Sequence, residues 1–80
     1  MRYYFDIRDD DNFARDDIGV DLRDDRAARL QATLALTEMA RDYLPTNGDH
    51  RDMSIEVRTP TGSRFDVRLD YSLVYRAPQS

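Results

Sequence analysis

The first residues of the chain alternate between apolar and polar side chains. Over residues 3–8 the apolar positions share one face, which is the pattern of a half-buried β-strand. These positions are Tyr3, Phe5 and Ile7. Residues 9–12, D-D-D-N, favour a reversal of the chain, because aspartate and asparagine side chains hydrogen-bond to the backbone in turns. The chain is therefore expected to return through residues 13–15 and complete a first β-hairpin.

A helical period follows over residues 24–44. Asp24 or Asp25 can cap the free N–H groups of the first turn, and Pro45 blocks continuation at the other end. At 100° per residue, one broad apolar stripe is expected to face the sheet, and it consists of Ala28, Ala32, Ala35, Leu36, Met39, Ala40 and Tyr43. Residues 20–22, just before the helix, look extended, and their pairing stays open.

The same helix carries a second apolar stripe on nearly the opposite side. Leu30 and Leu34 are four residues apart and therefore adjacent on the helix surface, with Ala27 and Thr37 beside them. Paired exposed leucines on a charged helix often mark a contact surface, although single apolar residues on a surface are also ordinary. We predict that Ala27, Leu30, Leu34 and Thr37 form an interaction surface.

Two alternating segments near the end of the chain, residues 53–58 and 64–73, predict a second hairpin. The link T-P-T-G is typical of a type I turn followed by a glycine bulge, a three-residue loop that would pair Thr59 with Ser63. This register sets core residues opposite one another: Val57 with Phe65, Ile55 with Val67, and Met53 with Leu69. A two-residue loop would instead set them opposite charged residues. Because Tyr71, Leu73 and Tyr75 continue the apolar face, the last strand is expected to be long.

Together these elements predict an α+β fold of order β-β-α-β-β, with one long helix packed on an antiparallel sheet of two hairpins. The chain has 80 residues, without an evident linker or repeat, so one domain over residues 1–76 is expected. Residues 77–80 are predicted to be a flexible C-terminal tail.

Composition narrows the function. The net charge of −4 argues against a general affinity for nucleic acid, which needs cations to neutralise phosphates. The absence of cysteine excludes disulfides and thiolate metal cages and fits a reducing cytoplasm. No apolar run has the length of a signal peptide or a membrane span. We therefore expect a cytoplasmic protein with no membrane partner.

Few residues suggest chemistry. The carboxylates of residues 9–11 and 16–17 could gather around a calcium or magnesium ion, but Phe13 and Ala14 occupy positions where a calcium loop needs a ligand and a glycine. His50 is the only histidine, and no nucleophile, histidine and acid set stands at a recognisable spacing. We therefore expect no enzyme activity, no catalytic residue, no cofactor and no metal.

The polar face of the sheet leaves two interpretations open. Its charges could be a solvated cross-strand lattice or a mixed-charge docking surface. They are Arg58, Arg64 and Arg68, interleaved with Glu56, Asp66 and Asp70. Tyr3 and Tyr4 raise the further idea of bases stacking on a sheet, although Tyr3 belongs to the core pattern.

Four motifs give the chain a family resemblance. They are R-Y-Y-F-D-I-R-D at residues 2–9, R-D-D-I-G at 15–19, E-M-A-R-D at 38–42 and I-E-V-R at 55–58. Over residues 2–75 the chain resembles small proteins, common in rhizobia and related Alphaproteobacteria, known only as a domain of unknown function. The resemblance implies kinship and carries no catalytic residues. Members often have D-G in the first turn, where this chain has D-D-N, which weakens the idea of a shared metal site.

Two functions of different classes remain. The first is a non-enzymatic interaction or regulatory module, binding an unknown protein partner or a second copy of itself as a homodimer, through the outer leucines of the helix or through a sheet edge. The alternative is a ligand-, metal- or nucleic-acid-binding domain that uses the acidic turns or the mixed-charge sheet face.

Overall fold

The computed structural model describes residues 1–78 and has the expected α+β architecture, with one helix against an antiparallel sheet. The element order is β-β-β-α-β-β, one short strand more than the sequence predicts. The elements are β1 (Arg2–Asp9), β2 (Asn12–Ala14), β3 (Val20–Asp21), α1 (Asp25–Tyr43), β4 (His50–Thr59) and β5 (Gly62–Ser72). Gln79 and Ser80, part of the predicted flexible tail, lie outside the described residues.

The sheet has the strand order β2-β1-β4-β5, and β3 also pairs with β1. One edge of β1 is thus shared by two short strands. β2 covers the end of β1 at residues 7–9, and β3 covers its beginning, with Tyr3 opposite Val20. The sequence leaves the pairing of residues 20–22 open, and the structure shows that β3 pairs with β1 shortly before the helix begins.

The predicted core register of the β4 and β5 hairpin is confirmed, and its predicted turn is wrong. Val57 lies opposite Phe65, and the other two core pairs follow. However, Thr59 pairs with Gly62 rather than with Ser63, so the loop has only two residues. A register shift between Val57 and Arg58 adds one residue to β5 and restores the core pairing. The shorter loop and the added bulge residue have opposite effects on the register. Burial of the core pairs therefore determines the register but not the type of turn between β4 and β5.

The helix begins and ends as the sequence predicts. The Asp24 side chain accepts a hydrogen bond from the Ala27 N–H at 3.0 Å and caps the first turn. The core lies between the sheet and one face of α1, which packs on β4 and β5, and its buried members are Tyr3, Ala28, Ala32, Leu36, Met53, Ile55 and Val57. Tyr43 is a correction: it is 43% exposed, and its ring lies 4.8 Å from the Arg51 guanidinium.

The last strand is shorter at its C-terminal end than the alternation suggests. β5 ends at Ser72, and Tyr71 is its last half-buried core-face residue. Leu73 is 41% exposed and Tyr75 is 84% exposed, so the apolar positions of this segment do not reach the core. Both residues follow Ser72, whose pairing with His50 is the last one between β4 and β5, so they lie beyond the paired part of the sheet.

Candidate functional site

The four residues predicted as an interaction surface lie on the outer side of α1. The fully buried Ala28 and Ala32 turn the opposite side of the helix to the sheet, which leaves Leu30 62% exposed and Leu34 56% exposed. Ala27 is half-buried, and Thr37 is exposed while its hydroxyl donates to the Thr33 carbonyl. The structure therefore brings these residues together as one exposed stripe, which we call the outer stripe. Its role as a contact surface stays a prediction.

An open groove of about 760 Å³ adjoins the outer stripe at the N-terminal end of α1. One wall is the segment that leads from β3 into the helix, and the other is the first three turns of α1. The apolar part of its lining comes from Leu22, Ala27 and Leu30, and polar and charged side chains complete it: Asp21, Arg23, Asp24, Arg26, Arg29 and Thr33. The groove extends the outer stripe, because Ala27 and Leu30 belong to both.

The three arginines of the groove differ from most arginines of the chain. Within residues 1–78, Arg23, Arg26 and Arg29 take part in no ion pair, a property that Arg76 in the C-terminal segment shares. The other arginines do form ion pairs with carboxylates. An acidic protein thus carries three neighbouring arginines without an ion pair beside its exposed leucines. Two carboxylates also line the groove: Asp24 caps the helix, and Asp21 lies 3.8 Å from the Arg2 guanidinium.

The wall of the groove is fixed to the sheet by backbone hydrogen bonds. The Leu22 N–H donates to the Met1 carbonyl at 2.9 Å, and the Met1 amino group donates to the Leu22 carbonyl at 3.1 Å. Leu22 also packs against the core. The wall therefore keeps its place only if the strand β3, one residue earlier, stays on the edge of β1.

Asp16 holds the connection between β2 and β3 against β1. Its carboxylate accepts the Phe5 N–H at 3.0 Å, at the gap on the β1 edge that neither short strand covers. The same carboxylate accepts the N–H groups of Ile18 at 2.9 Å and Gly19 at 3.0 Å. One side chain thus satisfies three backbone donors and bridges the two short strands.

A buried ion pair holds the same connection from the other side. Asp6 is only 4% exposed, and its carboxylate accepts from the Arg58 Nε at 2.8 Å and from the Asp16 N–H at 2.9 Å. The Arg58 guanidinium also donates to the Asp16 carbonyl at 2.7 Å and lies 4.5 Å from the centre of the Tyr4 ring. Asp6, Arg58 and Asp16 form one network, which we call the loop lock.

The electrostatics of the loop lock favour charged carboxylates. Burial alone would raise the pKa of Asp6, but the hydrogen bonds from Arg58 and the Asp16 backbone outweigh it, so this pKa is lowered. Burial opposes ionisation of Asp16 too, and the N–H groups of Gly19, Phe5 and Ile18 outweigh it and lower its pKa. Both groups therefore stabilise the fold in their ionised form.

Acid is expected to weaken the loop lock. Because both pKa values are depressed in the folded state, the stabilisation is complete above the unfolded aspartate pKa of about 3.9 and is lost as the pH falls through the folded values. Urea unfolding followed from about pH 6 to about pH 2 should show this decline. Asp16→Asn should be less stable at neutral pH and show a shallower decline. An unchanged decline in Asp16→Asn would contradict the assignment.

The acidic turn after β1 is occupied by contacts within the protein. Asp9 accepts two hydrogen bonds from the Arg51 guanidinium, at 2.7 and 2.8 Å, and Asp10 accepts the Asp52 N–H at 3.0 Å. Residues 1–78 contain no group of side chains suited to hold a metal ion. The carboxylates that suggest a cation from the sequence therefore join the first hairpin to β4.

The three arginines predicted for the polar sheet face have different partners. Arg58 belongs to the loop lock, and Arg68 lies 3.2 Å from Asp52. Arg64 is a correction, because the bulge lets it bind Asp25 at the start of α1, where the Tyr3 hydroxyl donates to the same carboxylate. Tyr3 is buried, and Arg58 covers the ring of Tyr4, which removes the stacking platform suggested for nucleic-acid bases.

His50 sits at the start of β4, where its ring nitrogen lies 3.3 Å from the Ser72 hydroxyl. This contact joins the two long strands at their far end, away from the outer stripe.

The groove arginines are the functional candidates that the sequence analysis missed. A sequence signal was present, since Arg26 and Arg29 are three residues apart and share one side of the first helical turns, and Arg23 comes just before the N-cap Asp24. Asp25 stands four residues before Arg29, a spacing that allows an ion pair on a helix. In the structure Asp25 binds Arg64 and Tyr3 instead.

The fold and these surfaces define a small α+β domain with one helix on a five-stranded antiparallel sheet. The chain belongs to the family described as a domain of unknown function, DUF6894, whose model matches residues 2–78. Searches of curated proteins and of solved structures returned no match. Within residues 1–78, no helix combines the length and the apolar character needed to cross a membrane.

Proposed function

We propose that this protein is a non-enzymatic interaction module of the bacterial cytoplasm that binds an acidic amphipathic segment of a partner protein. The single observation that carries the proposal is the position of the outer stripe beside three arginines that have no ion pair in the described part of the chain. The exposed leucines require apolar contacts from a partner, and the arginines require acidic ones. One amphipathic segment with acidic residues supplies both.

The apolar contact would come from Leu30 and Leu34. Helices commonly bind such surfaces through residues spaced three and four apart, which matches the spacing of the outer stripe. Burying exposed leucine surface is favourable by about 25 cal/mol for each Å² removed from water. The groove beside Leu30 gives an anchoring side chain a place to enter, and this end of the helix is where we expect binding to be tightest.

The ionic contact would come from Arg23, Arg26 and Arg29. Guanidinium groups pair with carboxylates through two parallel hydrogen bonds, and these three need not first leave a partner within the chain. Charge complementarity of this kind raises association rates and excludes basic competitors more than it adds affinity. A phosphate backbone could satisfy the arginines too, but it offers nothing to the leucines, and the net charge of −4 opposes it.

Replacing Leu30 and Leu34 with aspartate should abolish this binding. The probe is a fluorescein-labelled helical peptide with leucines on one face and glutamates elsewhere, followed by fluorescence anisotropy. Wild type should bind it, and the double variant should bind at least about ten-fold more weakly, a loss of about 1.4 kcal/mol. A peptide with lysine in place of each glutamate should bind wild type more weakly than the acidic peptide.

The matched control changes two exposed apolar residues outside the site, Val74 and Tyr75, to aspartate. This variant should bind like wild type. Equal binding of acidic and basic peptides, or no binding of either by folded wild type, would contradict the proposal. Tighter binding of a single-stranded RNA than of the acidic peptide would favour the nucleic-acid alternative.

A further inference from the structure

The strand β5 has an open edge along its whole length. It pairs with β4 on one side, and among residues 1–78 no strand lies on its other side. The opposite edge of the sheet is covered by β2, β3 and the Asp16 carboxylate. Proteins usually protect such an edge with proline, a bulge or an early end, because its free backbone groups can pair with another chain. The register shift of β5 lies near its start, and from Phe65 to Ser72 the strand is regular.

The carboxylates of β5 lie opposite other carboxylates. Asp66 is directly across from Glu56, and Asp70 is directly across from Asp52. The nearby arginines form ion pairs with the carboxylates of β4: Arg8 binds Glu56, and Arg68 binds Asp52. In the described part of the chain, neither Asp66 nor Asp70 belongs to an ion pair. Like charges directly opposite each other on neighbouring strands are unfavourable, so these two positions lack a cation.

A second copy of β5 supplies a cation to Asp66 when the two strands pair. In an antiparallel pairing centred on Val67, Asp66 lies opposite Arg68 of the other copy, and the reciprocal pair forms by symmetry. Phe65 lies opposite Leu69, and Asp70 lies opposite position 64, whose arginine is turned towards Asp25 by the bulge. Sliding the centre to Arg68 would set Arg68 against Arg68 and Asp66 against Asp70. Centring on Leu69 would give Asp70 a cation and leave Asp66 opposite Ser72. Among these three, only the pairing at Val67 gives Asp66 an arginine and also sets the half-buried apolar residues Phe65, Val67 and Leu69 opposite one another.

The faces of the sheet agree with the same pairing. It sets odd-numbered residues opposite odd-numbered residues, so the apolar face of one β5 continues into the apolar face of the other. Phe65, Val67 and Leu69 pack against the core but are only half-buried in one chain, because they lie on the strand at the open edge of the sheet. Pairing would bring them beside apolar neighbours and remove apolar surface from water.

We propose that two copies of this chain join β5 to β5 in antiparallel orientation about a two-fold axis at Val67. The product is one continuous sheet with both helices on the same face, and it leaves both outer stripes free. A dimer of this kind would present the partner-binding surface twice. The pairing involves no residue of the outer stripe, so dimerisation can be tested independently of partner binding.

The test measures molar mass by sedimentation equilibrium over a concentration series. Wild type should approach twice its 9.4 kDa protomer mass as the concentration rises. Asp66→Arg and Arg68→Asp should each raise the dimer dissociation constant at least about ten-fold, because each sets like charges opposite each other at two symmetric places. The double variant, in which the two residues are exchanged, should recover dimerisation. In Asp66→Arg the new arginine faces Glu56, which favours folding of the single chain.

Glu38→Arg makes the same change of charge on the exposed side of α1 and should dimerise like wild type. A second readout is amide hydrogen exchange, where residues 65–69 should become more protected as the concentration rises. A wild type that stays monomeric throughout, or an exchanged double variant that fails to recover, would overturn the proposal. Loss of the dimer in Leu30→Asp with Leu34→Asp would assign self-association to the helix instead.

Discussion

Asp6→Ala is expected to lower the free energy of unfolding by about 3 kcal/mol, the range for removing one member of a buried ion pair. The change removes the acceptor of the Arg58 Nε and of the Asp16 N–H, so two donors lose their partner at once. It should also release the connection between β2 and β3, because Asp6 holds that segment against the sheet. Urea unfolding followed by circular dichroism gives the loss.

The matched control is Asp17→Ala in the same connection. Asp17 is exposed and its contact with Arg15, at 3.5 Å, lies in solvent, so the change should cost about 0.5 kcal/mol or less. Equal losses in Asp6→Ala and Asp17→Ala would show that the loop lock does not contribute as described. Because Leu22 and Arg23 follow this segment, the first variant should also bind the acidic peptide more weakly at temperatures where it remains folded.

Gly19→Ala is the second change with a large expected effect, a loss of about 2 to 4 kcal/mol. Gly19 has a φ of +74°, which disfavours any residue with a Cβ. A Cβ there would lie 2.9 Å from the Tyr3 carbonyl oxygen and 2.9 Å from the Tyr4 ring, with the Arg2 side chain at 2.7 Å. The backbone oxygen belongs to the paired strand β1 and has little freedom to move, so the connection itself must shift.

Gly48→Ala separates the two causes. Gly48 has nearly the same φ, +79°, but a Cβ there would have no atom within 4 Å. It should cost only the strain of the left-handed backbone, about 1 kcal/mol. The difference between the two variants in thermal or urea unfolding therefore measures the close approach at Gly19. Equal losses would mean that the connection does not pack against β1 as closely as the structure has it.

The helix and the core register could be predicted because strong local rules and burial agree there. Asp24 and Pro45 mark the ends of α1, and period-two alternation fixes which residues of β4 and β5 face each other. The pairing of β3 could not be predicted, since two residues are too few to show a period. The turn at residues 59–62 was mispredicted, because a two-residue loop with a later bulge gives the same core register as a three-residue loop.

The candidate site was predictable in its apolar part and less so in its charged part. Exposure of Leu30 and Leu34 follows from the helical period once the buried stripe is known. Whether an arginine forms an ion pair depends on which carboxylates are already bound by residues of other elements. Tertiary contacts decide this. Asp25 binds Arg64 only because the bulge in β5 redirects that arginine, and Asp16 binds Phe5 only because the connection folds back on β1. No local pattern specifies either contact.

Binding of an acidic amphipathic segment by the outer stripe and the groove arginines can be tested on the protein itself. The most direct measurement is a series of ¹H–¹⁵N correlation spectra of the full chain during addition of the acidic peptide. If the segment binds there, the shifted amides should cluster between residues 22 and 37, on the outer side of α1 and in the lead from β3. Shifts that cluster at the acidic turn of residues 9–12, or an unchanged spectrum at excess peptide, would contradict it.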